Sequence, residues 1–96
     1  MACFDSFTID DDLQRQLQVG IEVTLSMQDG SRRWCYFMRP EALAACGDWL
    51  EGGSERLHFD APHMIVVAAE LTPAVIERAL RQIDRQGALL RCSLPW

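Results

Sequence analysis

An unbroken apolar run at residues 64–69 (MIVVAA) is the strongest hydrophobic feature of the chain. It lacks the alternation of a strand with one solvent-facing side. It therefore predicts the central strand of a sheet covered on both faces, with Val66 and Val67 both buried. An amphipathic segment at residues 73–86 and a second apolar run at residues 88–93 follow it. A strand, a helix and a strand within about thirty residues predict a βαβ unit with parallel strands.

Local signals set the ends of the predicted helix. Thr72 is a good N-cap, and Pro73 suits the first helical position because its missing N–H would be unpaired there. Gly87 can take the left-handed conformation that ends a helix. Between these ends, apolar residues recur every three or four positions on one face, with charged residues on the other. Both helix boundaries are therefore predicted from local sequence alone.

Residues 21–38 predict a β-hairpin. Apolar and polar residues alternate along residues 21–28, and Asp29-Gly30 is a preferred sequence for a two-residue type I′ turn. Such a turn sets a register in which apolar residues face one another across the strands. The expected pairs are Leu25 with Trp34, Val23 with Tyr36, and Ile21 with Met38. The opposite face is then expected to be only half covered and open to a partner, and to carry Arg33, Cys35 and Phe37.

The remaining segments are shorter and less regular. Residues 4–9 predict an edge strand or a terminal anchor, and residues 10–20 predict a helix of two to three turns that starts at acidic N-caps. A second helix is expected over residues 40–51, before a Gly-Gly pair, and residues 57–59 alternate like a short strand. We therefore expect residues 1–96 to form a single two-layer α+β domain. Its mixed sheet would have four or five strands, with two to three helices packed on it.

The net charge and the length of the apolar runs limit the functional classes that we expect for this chain. The 96 residues carry a formal net charge of −5. Direct nucleic-acid binding depends on positive charge opposite phosphates, so an acidic chain argues against it. No apolar run approaches the roughly 18 residues of a membrane span, and the first ten residues lack the features of a signal peptide. We therefore expect a soluble cytoplasmic protein with no membrane association.

Spacing gives little support to a metal or cofactor site. The four cysteines are Cys3, Cys35, Cys46 and Cys92. The nearest two are eleven positions apart, whereas zinc sites usually pair cysteines two to four residues apart. Irregular spacing within apolar patterns indicates reduced thiols. The turn at residues 69–73 lacks the glycines of a phosphate-binding loop, so we expect neither a metal nor a cofactor.

A small enzyme is a further alternative. His63 is a better candidate for proton transfer than His58, because it follows Pro62 at the mouth of the predicted central strand. Nucleophilic catalysis also needs a base within hydrogen-bond reach of a nucleophile and a third group that orients the base. No such arrangement follows from the sequence, so no catalytic residue is assigned.

A cluster of acids around a tryptophan is the main candidate for a binding site. Its residues are Asp48, Trp49, Glu51, Glu55 and Asp60. In a protein-binding surface, the acidic rim would steer a basic partner and the tryptophan would anchor it. The competing interpretation is that the carboxylates only solvate a small domain, with the tryptophan at the edge of the core. Secondary candidates are Asp10, Asp11, Asp12, His63 and Trp96.

Small size, acidic charge and the absence of a catalytic motif favour a non-enzymatic protein-binding protein. We expect a stoichiometric inhibitor or an immunity-type protein, from a bacterium or a phage, that acts on a basic partner handling nucleic acid. The first alternative is a homo-oligomeric accessory or structural domain, such as a homodimer that pairs through an uncovered sheet edge. The second is a small hydrolase-like enzyme that uses His63.

Overall fold

The fold is that of a computed structural model, which describes residues 4–46, 48–49, 56–58 and 62–96 and the side chains of residues 4–43 and 62–96. In chain order the elements are strand β1 (Phe4–Ile9), a short 3₁₀ helix (Leu13–Arg15), strands β2 (Ile21–Met27) and β3 (Arg32–Met38), helix α1 (Pro40–Cys46), strands β4 (Asp48–Trp49), β5 (Arg56–His58) and β6 (Met64–Val66), helix α2 (Pro73–Arg85) and strand β7 (Leu94–Pro95). No helix in these ranges is long and apolar enough to cross a membrane.

The main sheet has five strands and mixed pairing. Its order is β1-β2-β3-β6, and β7 also pairs with β3. The first three strands are antiparallel, β6 runs parallel to β3, and β7 runs antiparallel to it. β6 pairs with residues 36–38 of β3 and β7 with residues 33–34, so the two share one edge of β3, end to end. The predicted α+β class and mixed sheet are confirmed.

The hairpin forms as predicted, but its register differs by one residue. Leu25 pairs with Arg33 and Val23 with Cys35. The Met27 N–H donates to the Ser31 carbonyl at 2.9 Å, so the loop has three residues instead of two. Gly30 takes the left-handed conformation (φ 87°), as expected for a type I turn followed by a glycine bulge.

This shift exchanges the two faces of β3, because side chains alternate along a strand. Cys35 and Phe37 point into the core and have no exposed surface. Trp34 and Tyr36 lie on the other side of the sheet, which we call the second face. The predicted pairing of these two aromatics with the core residues of β2 was therefore wrong.

Helix α2 packs on the core face of the sheet. Its buried residues Ile76 and Leu80 join the side chains of β1, β2 and β3 in one apolar cluster. The predicted caps are confirmed: the Thr72 hydroxyl accepts the N–H of Val75 at 3.1 Å, and Gly87 is left-handed (φ 72°). Burial of the apolar stripe therefore positions the helix, and local signals end it.

The predicted central strand lies at the edge of the sheet. β6 has only three residues, and β3 is its only neighbour in the described part of the chain. Val66 is 48% exposed and only Ile65 is buried, so the prediction that Val66 is buried was wrong. The chain leaves the sheet after Val67 and instead buries Leu71, which is 2% exposed. The unbroken apolar run at residues 64–69 therefore does not form a strand that is buried on both faces.

The predicted parallel strand after α2 is absent from its expected position. Residues 88–92 form turns, with the Cys92 N–H donating to the Ala88 carbonyl at 3.2 Å. The strand that follows, β7, runs antiparallel to β3 and therefore also to β6. The tight turns after Gly87 return the chain to β3 from the opposite direction, so these elements do not form the predicted βαβ unit.

Two predicted helices are shorter than expected. The first is a 3₁₀ helix of three residues, capped by Asp12. The second, α1, ends at Cys46, and the backbone then forms β4, which pairs antiparallel with β5. The predicted extension of this helix to residue 51 was wrong. The short strand expected around residues 57–59 occurs as β5 at residues 56–58.

Candidate partner-binding surface

The predicted acidic cluster around Trp49 is described only in part. The backbones of Asp48 and Trp49 lie in β4, opposite His58 and Arg56 of β5, instead of on a helix. Their side chains lie outside the described residues, as do the remaining members of the cluster. Those remaining members are Glu51, Glu55 and Asp60. This binding site therefore stays a prediction.

The three acids after β1 occupy defined positions at one end of the sheet. The Asp11 carboxylate accepts the backbone N–H of Glu22 at 2.7 Å, and the Asp10 carboxylate accepts the Thr24 hydroxyl at 2.6 Å. Asp12 caps the 3₁₀ helix. All three acids are exposed. The hydrogen bonds hold the negative charges of Asp10 and Asp11 against β2, with little freedom to rearrange.

Three aromatic rings meet on the second face. Trp34 and Tyr36 project from β3, and their ring centres are 5.4 Å apart in an edge-to-face arrangement. The His63 ring is 4.5 Å from Trp34 and 5.4 Å from Tyr36. The backbone places it there, because the Tyr36 N–H donates to the His63 carbonyl at 2.8 Å. We call Trp34, Tyr36 and His63 the aromatic cluster; all three are partly buried.

The aromatic cluster adjoins the acids. Burial raises the pKa of Tyr36, and the negative charges of Glu22 and Asp11 raise that pKa further. The same three residues line a cleft of about 450 Å³, together with Arg15. We call the aromatic cluster together with Asp10, Asp11 and Glu22 the acid–aromatic surface. It combines fixed carboxylates with large, partly desolvated rings.

Sequence reasoning found only part of this surface. It selected Asp10, Asp11 and His63 but assigned Trp34 and Tyr36 to the core, because it assumed a two-residue hairpin loop. The signal that would have corrected it is the alternation within β3 itself. With Cys35 and Phe37 inside, Trp34 and Tyr36 lie outside, where the indole N–H and the phenolic hydroxyl can meet solvent or a partner.

Trp96, another predicted candidate, lies beyond β7. Its N–H donates to the Arg32 carbonyl at 3.0 Å, which extends the pairing of β7 with β3. Its side chain is 71% exposed. Leu94 of β7 lies opposite Trp34 in the sheet, so the chain end runs beside the aromatic cluster without covering it fully.

The two described thiols do not belong to the aromatic cluster, because Cys35 lies in the core and Cys92 packs against it. Cys35 points into the core, and burial, with a smaller effect of Cys92, raises its pKa to about 12. A thiol with so high a pKa is protonated at neutral pH and is a poor nucleophile. The Nδ1 atom of His63 is buried and has no hydrogen-bond partner among the described residues. Within those residues, no group of three potential metal ligands converges.

Comparison with known proteins found no relative. No protein-family model, no curated protein and no solved structure matches the chain significantly.

Proposed function

We propose that the chain is a non-enzymatic protein-binding protein that uses the acid–aromatic surface. The class we favour is a stoichiometric inhibitor or immunity-type protein of bacterial or phage origin, acting on a basic partner that handles nucleic acid. One observation carries the proposal: Trp34 and Tyr36 lie on the second face of the sheet, next to carboxylates held in place by hydrogen bonds.

The aromatic cluster suits the centre of an interface. Tryptophan and tyrosine are enriched among the residues that dominate binding energy, because each buries a large area at a small entropy cost. Trp34 and Tyr36 are already partly buried and packed edge to face. Less side-chain freedom is therefore lost when a partner covers them, which favours a slow dissociation rate.

The acids suit the rim of the same interface. Exposed carboxylates steer an oppositely charged partner and act mainly on the association rate. Asp10 and Asp11 are exposed and fixed against β2, and the whole chain carries a formal charge of −5. A protein that binds nucleic acid presents a positive surface to phosphates. An acidic protein of this kind would compete for that surface.

The test is affinity capture from the native host with two variants, Asp10→Asn/Asp11→Asn and Trp34→Ala, and a matched control. Asp10→Asn/Asp11→Asn removes two charges but keeps an acceptor oxygen for Thr24 and for the Glu22 N–H. The control, Glu77→Gln, removes one exposed charge on α2, whose core-facing side packs on the opposite face of the sheet. The expected result is one identified basic protein, captured by wild type and control in a defined stoichiometry.

Binding kinetics with the captured partner then separate the role of the acids from the role of the aromatic cluster. The double Asn variant should associate about tenfold more slowly at low salt, with a weaker salt dependence. Trp34→Ala should dissociate faster while associating at a near-normal rate, once a melting curve shows that it is folded. Equal kinetics for all variants would refute the proposal. Capture of only the chain's own copies would favour the homo-oligomeric alternative.

A further inference from the structure

Among the residues that the structure describes, none pairs with the outer edge of β6, which is available for strand pairing. The bonds that join β6 to β3 at its two ends use the His63 carbonyl and the Val67 N–H, each at 2.8 Å. Because backbone groups alternate in direction along a strand, those of Met64 and Val66 point to the other edge. No strand in the described part of the chain pairs with that edge. An open edge of this kind can accept an added strand.

A groove runs beside this edge. It has a volume of about 480 Å³ and lies between β6 and α2. Its apolar wall includes Ile65 of β6 and Val75, Ala79 and Ile83 of α2. The lining continues to Gln86, so the helical wall covers eleven steps, or about 17 Å at roughly 1.5 Å per residue. That length matches about five residues of extended chain at roughly 3.3 Å each.

The groove carries the positive charge of Arg78. Arg78 lines it, and among the described residues no carboxylate lies within 4.0 Å of its guanidinium. By contrast, Arg81 on the same helix pairs with Glu77 at 3.7 Å and lies over the Phe4 ring. Gln82 also lines the groove, and its side-chain amide offers both donors and acceptors. A carboxylate would complement Arg78 and form a bidentate contact with it.

A second copy of the chain fits this groove less well. Pairing of two β6 strands about a twofold axis would place two α2 helices side by side. The exposed charged residues of α2 are three arginines (Arg78, Arg81 and Arg85) and one glutamate (Glu77). The exposed side of the helix is therefore positive, and a dimer would bring two positive helices together. Like charges brought together in this way oppose association.

We propose that the groove binds an extended acidic segment of a partner protein. The segment adds as a strand to β6, places small apolar side chains against Val75, Ala79 and Ile83, and directs one carboxylate to Arg78. This binding mode does not depend on the acid–aromatic surface, which lies on the second face of the sheet. It gives the chain a second binding site, with the opposite charge preference.

Two labelled peptides test the proposal by fluorescence anisotropy. Their sequences are TVTETVT and TVTKTVT, in which the central residue and the two valines share one face of the strand; each is acetylated and amidated so that only the central residue is charged. Wild-type protein should bind the glutamate peptide at least about fivefold more tightly than the lysine peptide. Arg78→Glu should reverse this order. Arg85→Glu is the matched control: it changes the same charge on the same helix outside the groove and should preserve the wild-type order.

Val66→Pro tests the backbone contribution, because proline removes an N–H that points to the open edge. It should weaken both peptides at least about fivefold. If this variant fails to fold, the charge reversal by Arg78→Glu still decides the question. No binding at about 1 mM peptide, or the same peptide order in Arg78→Glu as in wild type, would overturn the proposal. A native dimer that Arg78→Glu leaves intact and Val66→Pro dissociates would also overturn it, in favour of self-pairing.

Discussion

The side chain of Gln16 joins two distant segments, and its replacement is the sharpest test of the fold. Its amide oxygen accepts the Leu71 N–H at 2.6 Å. Its amide nitrogen donates to the Leu71 carbonyl at 3.1 Å and to the Leu13 carbonyl at 2.9 Å. Gln16 is only 8% exposed, and Leu71 is 2% exposed. One side chain therefore satisfies both backbone polar groups of Leu71, as a neighbouring strand would.

Gln16→Met keeps a similar side-chain volume and removes all of these bonds. The N–H and carbonyl of Leu71 then lose their described partners in a buried position. Each such group costs about 1–3 kcal/mol when it is left unsatisfied. The cleft beside Gln16 gives water some access to the freed groups, so the lower half of the combined range applies. We expect Gln16→Met to lose about 2–4 kcal/mol of unfolding free energy.

Urea denaturation measures this loss as a lower midpoint at an unchanged slope. The matched control is Gln14→Met, which makes the same substitution at an exposed residue lining the same cleft. It should change the stability by less than about 0.5 kcal/mol. Equal midpoints for the two variants would show that the Gln16 bonds contribute little to stability. A changed slope would point instead to altered compactness of one of the states.

Three further predictions concern the sheet, the hairpin loop and the buried thiol. Ile65→Ala should cost about 2–4 kcal/mol because it empties part of the core, whereas Val66→Ala at the exposed neighbouring position should cost less than about 1 kcal/mol; urea denaturation of the pair measures both. Gly30→Ala should cost about 1 kcal/mol in the same assay, because a side chain disfavours the left-handed backbone even where the space around it is open. Burial raises the pKa of Cys35 from 9.0 to about 12, so the unfolded chain loses this proton first as the pH rises. The stabilising effect is complete below pH 9 and falls through the range up to about 12, by roughly 1.4 kcal/mol per pH unit; Cys35→Ala should lose this part of the pH dependence.

A different result would contradict each of these three predictions. Similar losses for Ile65→Ala and Val66→Ala would contradict the placement of β6 at the edge with only one face buried. A fully stable Gly30→Ala would contradict the three-residue loop, which requires the left-handed residue. Identical alkaline stability profiles for wild type and Cys35→Ala would contradict the burial of this thiol.

The caps of α2 and the location of the hairpin were determined by local sequence. A threonine N-cap, a proline at the first helical position and a glycine after the last turn act within a few residues, so they do not depend on the rest of the fold. The alternation of residues 21–28 likewise places a strand wherever one side of it is buried. In the structure these signals hold at Thr72, Gly87 and β2.

The register of the hairpin was not determined by these signals. Asp29-Gly30 is compatible with a two-residue loop and with the three-residue loop that forms, and the two differ by one residue in pairing. That single step decides whether Cys35 and Phe37 or Trp34 and Tyr36 face the core. Each choice buries a plausible apolar set, so the packing of α2 and β6 against the sheet had to select between them. Trp34 and Tyr36 belong to the acid–aromatic surface because the hairpin adopts this register.

Strand order depends on the tertiary structure for a different reason. The sequence of residues 64–69 specifies apolar character but says nothing about how many neighbours the strand has. β6 lies at the edge because the antiparallel strands β1 and β2 occupy the other side of β3, and β7 takes the rest of the edge that β6 uses. Local sequence determined the position of β2 and the two ends of α2, since those preferences act over a few residues. Contacts between residues far apart in the chain decided which faces and edges stay open, because only the assembled core determines what each element covers.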